Sequence, residues 1–201
     1  MNHFFRKRSK LSSYRIIGLF ALLCGLTACE RPTPPLAAGK EPAYDLTAYL
    51  QEQTARLQQE QPPVLKSVIT KGQPTETIQL EELDWEKELA IFQEVDLSRP
   101  ALRDFYSEER HTLPNGNTVS IFTKDTEAAA PVERLQVTVS PFQKLQRLEA
   151  VVLEENLLFY SKRNISLIAE PGTGNLASYR VEGVQKLVFG DSLRYRVDAN
   201  L

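Results

Sequence analysis

Histidine and cysteine are scarce in this chain: 201 residues carry two of each. Two cysteines cannot build a disulfide framework or a cysteine-rich zinc site. A basic excess is also missing. Lys and Arg total 24 against 26 Asp and Glu, so nothing in the charge balance pairs with a nucleic-acid backbone. Nine glycines and twelve prolines are too few for a fibrous or wholly disordered chain. The apolar core near the start, Ile16 to Ala28, runs for thirteen residues. A bilayer-spanning helix needs ~20. These shortages leave one ordinary globular domain with something unusual at its head.

The head is basic. Arg6, Lys7, Arg8, Lys10 and Arg15 come with no acid, and the uncharged stretch Ile16–Ala28 follows. A basic start and a short apolar core form the pattern of a secretory signal. The stretch ends in Leu26-Thr27-Ala28-Cys29, an aliphatic residue and two small ones before a cysteine. This resembles the lipobox of bacterial lipoproteins. The resemblance implies that Cys29 is acylated through sulfur, that the chain is cut before it, and that Cys29 becomes the first mature residue. Cys24, inside the apolar core, reads as a small hydrophobe. Two or three acyl chains hold a protein firmly, at ~0.8 kcal/mol per buried CH₂. In several enteric bacteria an Asp after the cysteine retains a lipoprotein in the inner membrane. Glu30 stands there instead, which favours the outer membrane, facing the periplasm.

The organisation that follows is a signal peptide over residues 1–28, a lipidated Cys29 with a Pro-rich tether over 29–43, and a single domain over 44–201. Pro32, Pro34, Pro35 and Pro42 keep the tether extended and semi-stiff. In the domain, Asp45 is placed to cap a helix from Leu46 to about Gln61, ended by Pro62-Pro63. Leu65–Ile69 and Thr75–Leu80 read as strands around Lys71-Gly72-Gln73. Asp84 caps a second helix in which Trp85, Leu89 and Phe92 recur at helical spacing, and Pro100 closes that region. From His111 on the period is two. Pro114-Asn115-Gly116-Asn117 is a turn, and runs around Thr118–Thr123, Leu135–Val139, Leu148–Leu153, Leu157–Tyr160 and Ile165–Ala169 are strands. Short turns between strands make neighbours antiparallel. The fold class expected is α+β, two N-terminal helices packed on a curved antiparallel β-meander. A repeat of Tyr-Arg-Val-acid-small at Tyr179 and Tyr195 suggests same-direction strands two places apart.

Little in the domain promises catalysis. Once the signal is removed, His111 is the one histidine, and it sits in a charged stretch that reads as an edge strand. Pro171-Gly172-Thr173-Gly174-Asn175 contains Gly-Thr-Gly without a phosphate-binding fingerprint, so it reads as a hairpin turn. Glu81-Glu82, Glu108-Glu109 and Glu154-Glu155 are acid pairs, but adjacent strand residues point to opposite faces. No catalytic residue, metal ligand or cofactor is implied. Ala150–Leu153 and Leu157–Tyr160 are apolar in consecutive positions, which suggests strands covered on both faces. Val151, Leu153, Leu157, Phe159, Tyr160, Leu187 and Phe189 are therefore the candidate groove or interface. Coverage by the sheet's own curvature, by an apolar ligand or by a partner are all open at this point.

The expected function is a lipid-anchored cell-envelope protein with a non-enzymatic binding or scaffold role. The membrane is its partner through the Cys29 lipid, with an envelope protein or apolar ligand as a further one and no nucleic acid. The body is loosely similar to small uncharacterised lipoproteins of bacterial envelopes, with Tyr-rich ribbons near the C-terminus. One alternative is a carrier or chaperone holding lipid or another apolar ligand in a sheet-lined groove, by fold analogy with lipoprotein carriers. A second is a carboxylate-dependent hydrolase. Removing the presequence takes five of the 24 basic residues and no acid, leaving 19 against 26 and a net charge of −7. Repulsion from an anionic membrane fits a body held off by its tether.

Overall fold

The computed structural model describes residues 43–70 and 73–201. The presequence, Cys29 and the tether up to residue 42 lie outside the described residues, as do Lys71 and Gly72 of the first expected hairpin turn. The order of elements is α1 (Leu46–Glu60), β1 (Val64–Thr70), β2 (Glu76–Leu80), α2 (Trp85–Gln93), α3 (Pro100–Arg103), β3 (Tyr106–Thr112), β4 (Thr118–Lys124), β5 (Val132–Val139), β6 (Leu145–Glu155), β7 (Phe159–Ala169), β8 (Leu176–Leu187) and β9 (Leu193–Asn200). All nine strands join one antiparallel sheet in the order β2-β1-β9-β8-β7-β6-β5-β4-β3. From β3 to β9 this is an uninterrupted meander. The early hairpin adds to its last strand through pairs such as Val68 with Val197. The balance is mostly β with few helices, where the expectation was α+β.

The helix boundaries follow from local chemistry. Asp45 accepts a hydrogen bond from the Ala48 N–H at 2.9 Å and starts α1. Gln61 takes a left-handed conformation (φ 41°) and its N–H donates to the Leu57 carbonyl, closing the helix before Pro62-Pro63. Asp84 caps α2 through the Lys87 N–H. The Lys87 ammonium hydrogen-bonded to it, together with that N–H, holds the Asp84 carboxyl below the usual range. Pro100 does not close α2, which has already ended at Gln93. It opens the short α3 at its first turn, where a missing N–H costs nothing.

Register assigns the faces. Phe122, Leu135, Ala150, Ile165, Val181 and Val197 sit opposite one another from β4 to β9. The next row on that face holds Val137, Leu148, Leu167, Tyr179 and Ala199. This is the face that shares a core with Leu46, Leu50 and Leu57 of α1 and Trp85, Leu89 and Phe92 of α2. Each fully buried Leu, Val or Phe contributes about 1.5–3 kcal/mol. Polar ties fix the helices. The buried Gln53 side chain accepts from the Leu176 N–H at 2.9 Å. Glu88 accepts from Lys66 at 2.6 Å and from the Tyr179 hydroxyl, and Phe92 meets the Tyr179 ring edge-on at 5.7 Å. Burial and then the Glu88 carboxylate push the Tyr179 hydroxyl far above its ordinary pKa. Asp96, also buried, accepts from Thr47 at 2.6 Å and from Ser98.

The opposite face carries Ile121, Gln136, Glu149, Ser166, Arg180 and Asp198 in one row. It is a polar face. Two sequence expectations are corrected here. Ala150 and Val152 are buried in the core, but Val151 and Leu153 lie on the polar face and stay partly exposed, so β6 is not covered on both sides. Tyr179 and Tyr195 lie on adjacent antiparallel strands, not on same-direction strands two apart. The reason is strand length. β8 runs twelve residues, so the sixteen-residue offset holds one long strand and its turn rather than two short strands. The Tyr195 ring lies across Gly183 of β8, and an added Cβ there would come within 2.8 Å of its hydroxyl.

Candidate functional site

The seven candidate residues do not line a groove. Leu157 and Leu158 are not in a strand: they form the β6–β7 turn, and the strand begins at Phe159. Leu187 ends β8, and Val188 and Phe189 form the turn to β9. These two turns are neighbours at the same end of the sheet. Phe159 pairs with Leu187, and the Val188 N–H donates to the Leu158 carbonyl at 3.1 Å. The result is a protruding apolar tip. Leu157 is 94% exposed and Phe189 96%, with Leu158, Leu187, Val188 and Leu193 each about half exposed or more. Single exposed hydrophobes are common, but a contiguous cluster marks an interaction surface.

Asn156 builds the first turn. Its side-chain oxygen accepts from the N–H groups of Leu158 at 2.9 Å and Phe159 at 3.0 Å. Its own N–H donates to the Phe159 carbonyl at 2.8 Å. This Asx-type closure satisfies the backbone and leaves both leucines facing outward. At the second turn the Gly190 N–H returns to the Leu187 carbonyl at 3.2 Å. Phe159 is half-buried and lines a depression of about 610 Å³ with Leu153, Ala128 and Pro131, which Lys124, Glu133 and Glu154 make polar. Tyr160 is half-buried on the polar face opposite Lys186. Val151 lines a separate depression of about 320 Å³ among Arg134, Asn164 and Arg180. The structure thus joins Leu157, Phe159, Leu187 and Phe189 at one end, places Leu153 beside Phe159 in the first depression, and leaves Val151 apart. Leu158, Val188 and Leu193 belong to the tip and were not among the candidates. Asn156 and Gly190-Asp191-Ser192 are the turn signals that could have located it.

The acid pairs do not make a hydrolytic pair. Glu108 accepts from Arg103 at 2.9 Å and Arg110 at 2.8 Å, and Glu109 points to the other side of β3. Glu154 lies 3.5 Å from Arg163, and Glu155 is exposed on the opposite face. His111 is exposed on β3, at the edge of the sheet. Among the described residues no group of three or more His, Cys, Asp or Glu gathers as a metal site. No described helix is long and apolar enough to cross a membrane. On the polar face Asp198 accepts from both Arg180 and Arg196. Partial desolvation pushes its carboxyl up, but the two guanidinium hydrogen bonds and their charges outweigh that and hold it below the usual range.

No protein-family model matches the chain, and no curated protein or solved structure matches it significantly.

Proposed function

We propose that this chain is a lipid-anchored protein of the bacterial cell envelope with a non-enzymatic binding or scaffold role. Leu26-Thr27-Ala28-Cys29 after a basic, apolar presequence supports acylation at Cys29, and Glu30 favours the outer membrane, facing the periplasm. The tether lets the domain stand off the surface. In this reading α1 and α2 close one side of a curved meander, and the working surface is the end of the sheet. The observation that carries the binding role is the tip itself: two adjacent turns expose Leu157, Leu158, Val188 and Phe189 where polar residues would serve solubility.

The test uses Cys29→Ala in cells. The substitution moves the protein from the membrane fraction to the soluble fraction or leaves an uncut precursor, while Leu157→Ser/Phe189→Ser stays membrane-anchored and loses crosslinks formed by a photoreactive residue at position 188. Fractionation unchanged by Cys29→Ala contradicts the anchor. Crosslinks unchanged in the tip variant contradict the tip as the contact.

A carrier of an apolar ligand is the second reading. A depression of about 490 Å³ beside Tyr44, lined by Phe122, Val137 and Val139 together with Asp45, Arg110 and Gln143, is the space this reading would use. Burial, together with the Glu52 charge, pushes the Tyr44 hydroxyl up to about 12. A lipid retained in native mass spectrometry of the unlipidated domain, and lost in Val137→Glu, supports this reading; a domain free of ligand opposes it.

A further inference from the structure

The tip is flanked by unlike charges. On the β4–β6 side stand Asp125 and Glu127 in the β4–β5 turn and Glu155 at the end of β6. All three are exposed, and none has an ion pair among the described residues. Lys124 and Glu133 on that side pair with each other, and Glu154 is engaged by Arg163. On the β7–β9 side stand Lys162, Lys186 and Arg194, also exposed and also without an ion pair among the described residues. Two acids share that side. Asp191 lies in the β8–β9 turn, and Glu182 accepts from Asn164 at 3.1 Å and sits opposite Arg196. Free acids therefore hold one flank and bases outnumber acids on the other, with the apolar turns between them.

The shapes of the two flanks are unlike as well. Phe189 stands out from the β8–β9 turn, 96% exposed, so its own chain offers it no seat. Beside the β6–β7 turn lies the depression of about 610 Å³, walled on its apolar side by Ala128, Ala129, Pro131, Leu153 and Phe159. One end of one sheet thus presents a knob on its basic flank and a hollow on its acidic flank.

We propose that this tip joins two copies of the chain across a twofold axis. Phe189 of each copy enters the hollow of the other, and Leu157, Leu158 and Val188 close the seam between them. Lys186 and Arg194 of each copy meet Glu127 and Glu155 of the other. Knob and hollow lie on the same end, so a single twofold satisfies both contacts and the assembly closes at two copies.

The area fits the same partner. A leucine or valine side chain carries ~60–120 Å² of apolar surface and a phenylalanine ~150–250 Å². At their observed exposures Leu157, Leu158, Leu187, Val188, Phe189 and Leu193 together offer roughly 350–650 Å². A standard interface buries ~800 Å² on each partner, and ~65% of that is apolar in homodimers, or ~520 Å². The tip supplies this apolar share, and the charged flanks form the polar rim. The proposal rests on the binding role given to the tip above and names its partner.

The experiment uses the purified unit Glu41–Leu201, which contains the whole sheet and its core and lacks Cys29. Sedimentation equilibrium at micromolar concentration shows a monomer–dimer equilibrium. Phe189→Ser raises the dissociation constant about tenfold or more, and so does Ala129→Arg, which fills the hollow and leaves the apolar patch intact. Phe142→Ser, at the other end, leaves the constant unchanged. Lys186→Glu/Arg194→Glu and Glu127→Lys/Glu155→Lys are each monomeric alone, because like charges then meet at both contacts, and an equimolar mixture of the two restores the dimer. Matching circular dichroism melts, recorded below the dissociation constant, show that the variants fold. A unit that stays monomeric up to ~100 µM overturns the proposal. So does a dimer indifferent to the Phe189 and Ala129 substitutions, an open-ended assembly, or charge-reversed variants that do not pair when mixed. The outcomes separate from those of the tip reading. A monomeric unit whose position-188 crosslinks in cells join a different protein defeats this proposal alone, whereas crosslinks unmoved by the tip variant defeat the tip as a contact altogether.

Discussion

Each end of the sheet exposes a phenylalanine, and the two differ in what surrounds them. Phe142 is 84% exposed in the β5–β6 turn, between Pro141 and Gln143. Around it the turns are polar and tied to one another. Lys144 Nζ reaches the Gly172 carbonyl at 3.2 Å, Thr173 binds Glu170 at 2.8 Å, and the Asn117 N–H donates to the Asn115 side chain at 3.1 Å. Gly116 and Gly174 adopt φ near +80° to make those turns. Phe189, 96% exposed, has Leu187, Val188, Leu157 and Leu158 for neighbours. The same side chain stands among polar, hydrogen-bonded turns at one end and in a continuous apolar patch at the other. The lesson is that exposure alone does not mark a functional surface; contiguity does.

That contrast can be broken in several ways. The largest effect belongs to the core that both ends depend on. Leu148→Ala, fully buried, loses about 2–5 kcal/mol in urea unfolding, while Leu157→Ala at the tip changes stability by less than about 0.5 kcal/mol. Similar losses from both would mean that the tip is packed in solution. At the polar end, Gly174→Val costs about 1–2 kcal/mol, since its φ of 81° is strained for a branched side chain and a Cβ there already meets Lys144 at 3.2 Å. Its thermal midpoint checks this. At the apolar end, Asn156→Ala removes the acceptor for two turn N–H groups. It destabilises by about 1 kcal/mol and speeds amide exchange at Leu158 and Phe159 while the polar end keeps its protection. The smallest effect is on pH. The Asp198 carboxyl is held low by Arg180 and Arg196, so its stabilisation is full above the ordinary unfolded value of ~3.9. It fades as pH falls through the lower folded value. Asp198→Asn reduces the loss of stability seen between neutral pH and acid; an unchanged acid limb would show that the two guanidiniums contribute nothing there.

Much of the fold was legible. Asp45 and Asp84 before apolar helical spacing located α1 and α2, and Asn115-Gly116 located the β3–β4 turn. The period of two from His111 onward gave the antiparallel meander. The tip was legible only as hydrophobicity. Leu157-Leu158 read as part of a covered strand because a leucine in a turn and a leucine in a core are the same residue. What separates them is register, which is set across β7 and β8 by pairs such as Phe159 with Leu187. Likewise Val151 and Leu153 read as a second covered face, a groove or interface, because neither shows which way its strand is turned. Short-range pattern cannot carry that information when a strand runs eleven or twelve residues, as β7 and β8 do, and the polar stretch Lys162-Arg163-Asn164 looks like a break. Cys29 stands apart, since its chemistry is read from the lipobox and not from the fold.

The most direct measurement compares the two phenylalanine positions on one surface. An environment-sensitive fluorophore is attached to a cysteine at position 189 in one preparation of Glu41–Leu201 and at position 142 in another, and each is titrated with detergent-solubilised bacterial envelope. The account predicts a blue shift and protection from aqueous quencher at position 189, with no change at position 142. Equal shifts at both positions, or a shift at 142 alone, would contradict it.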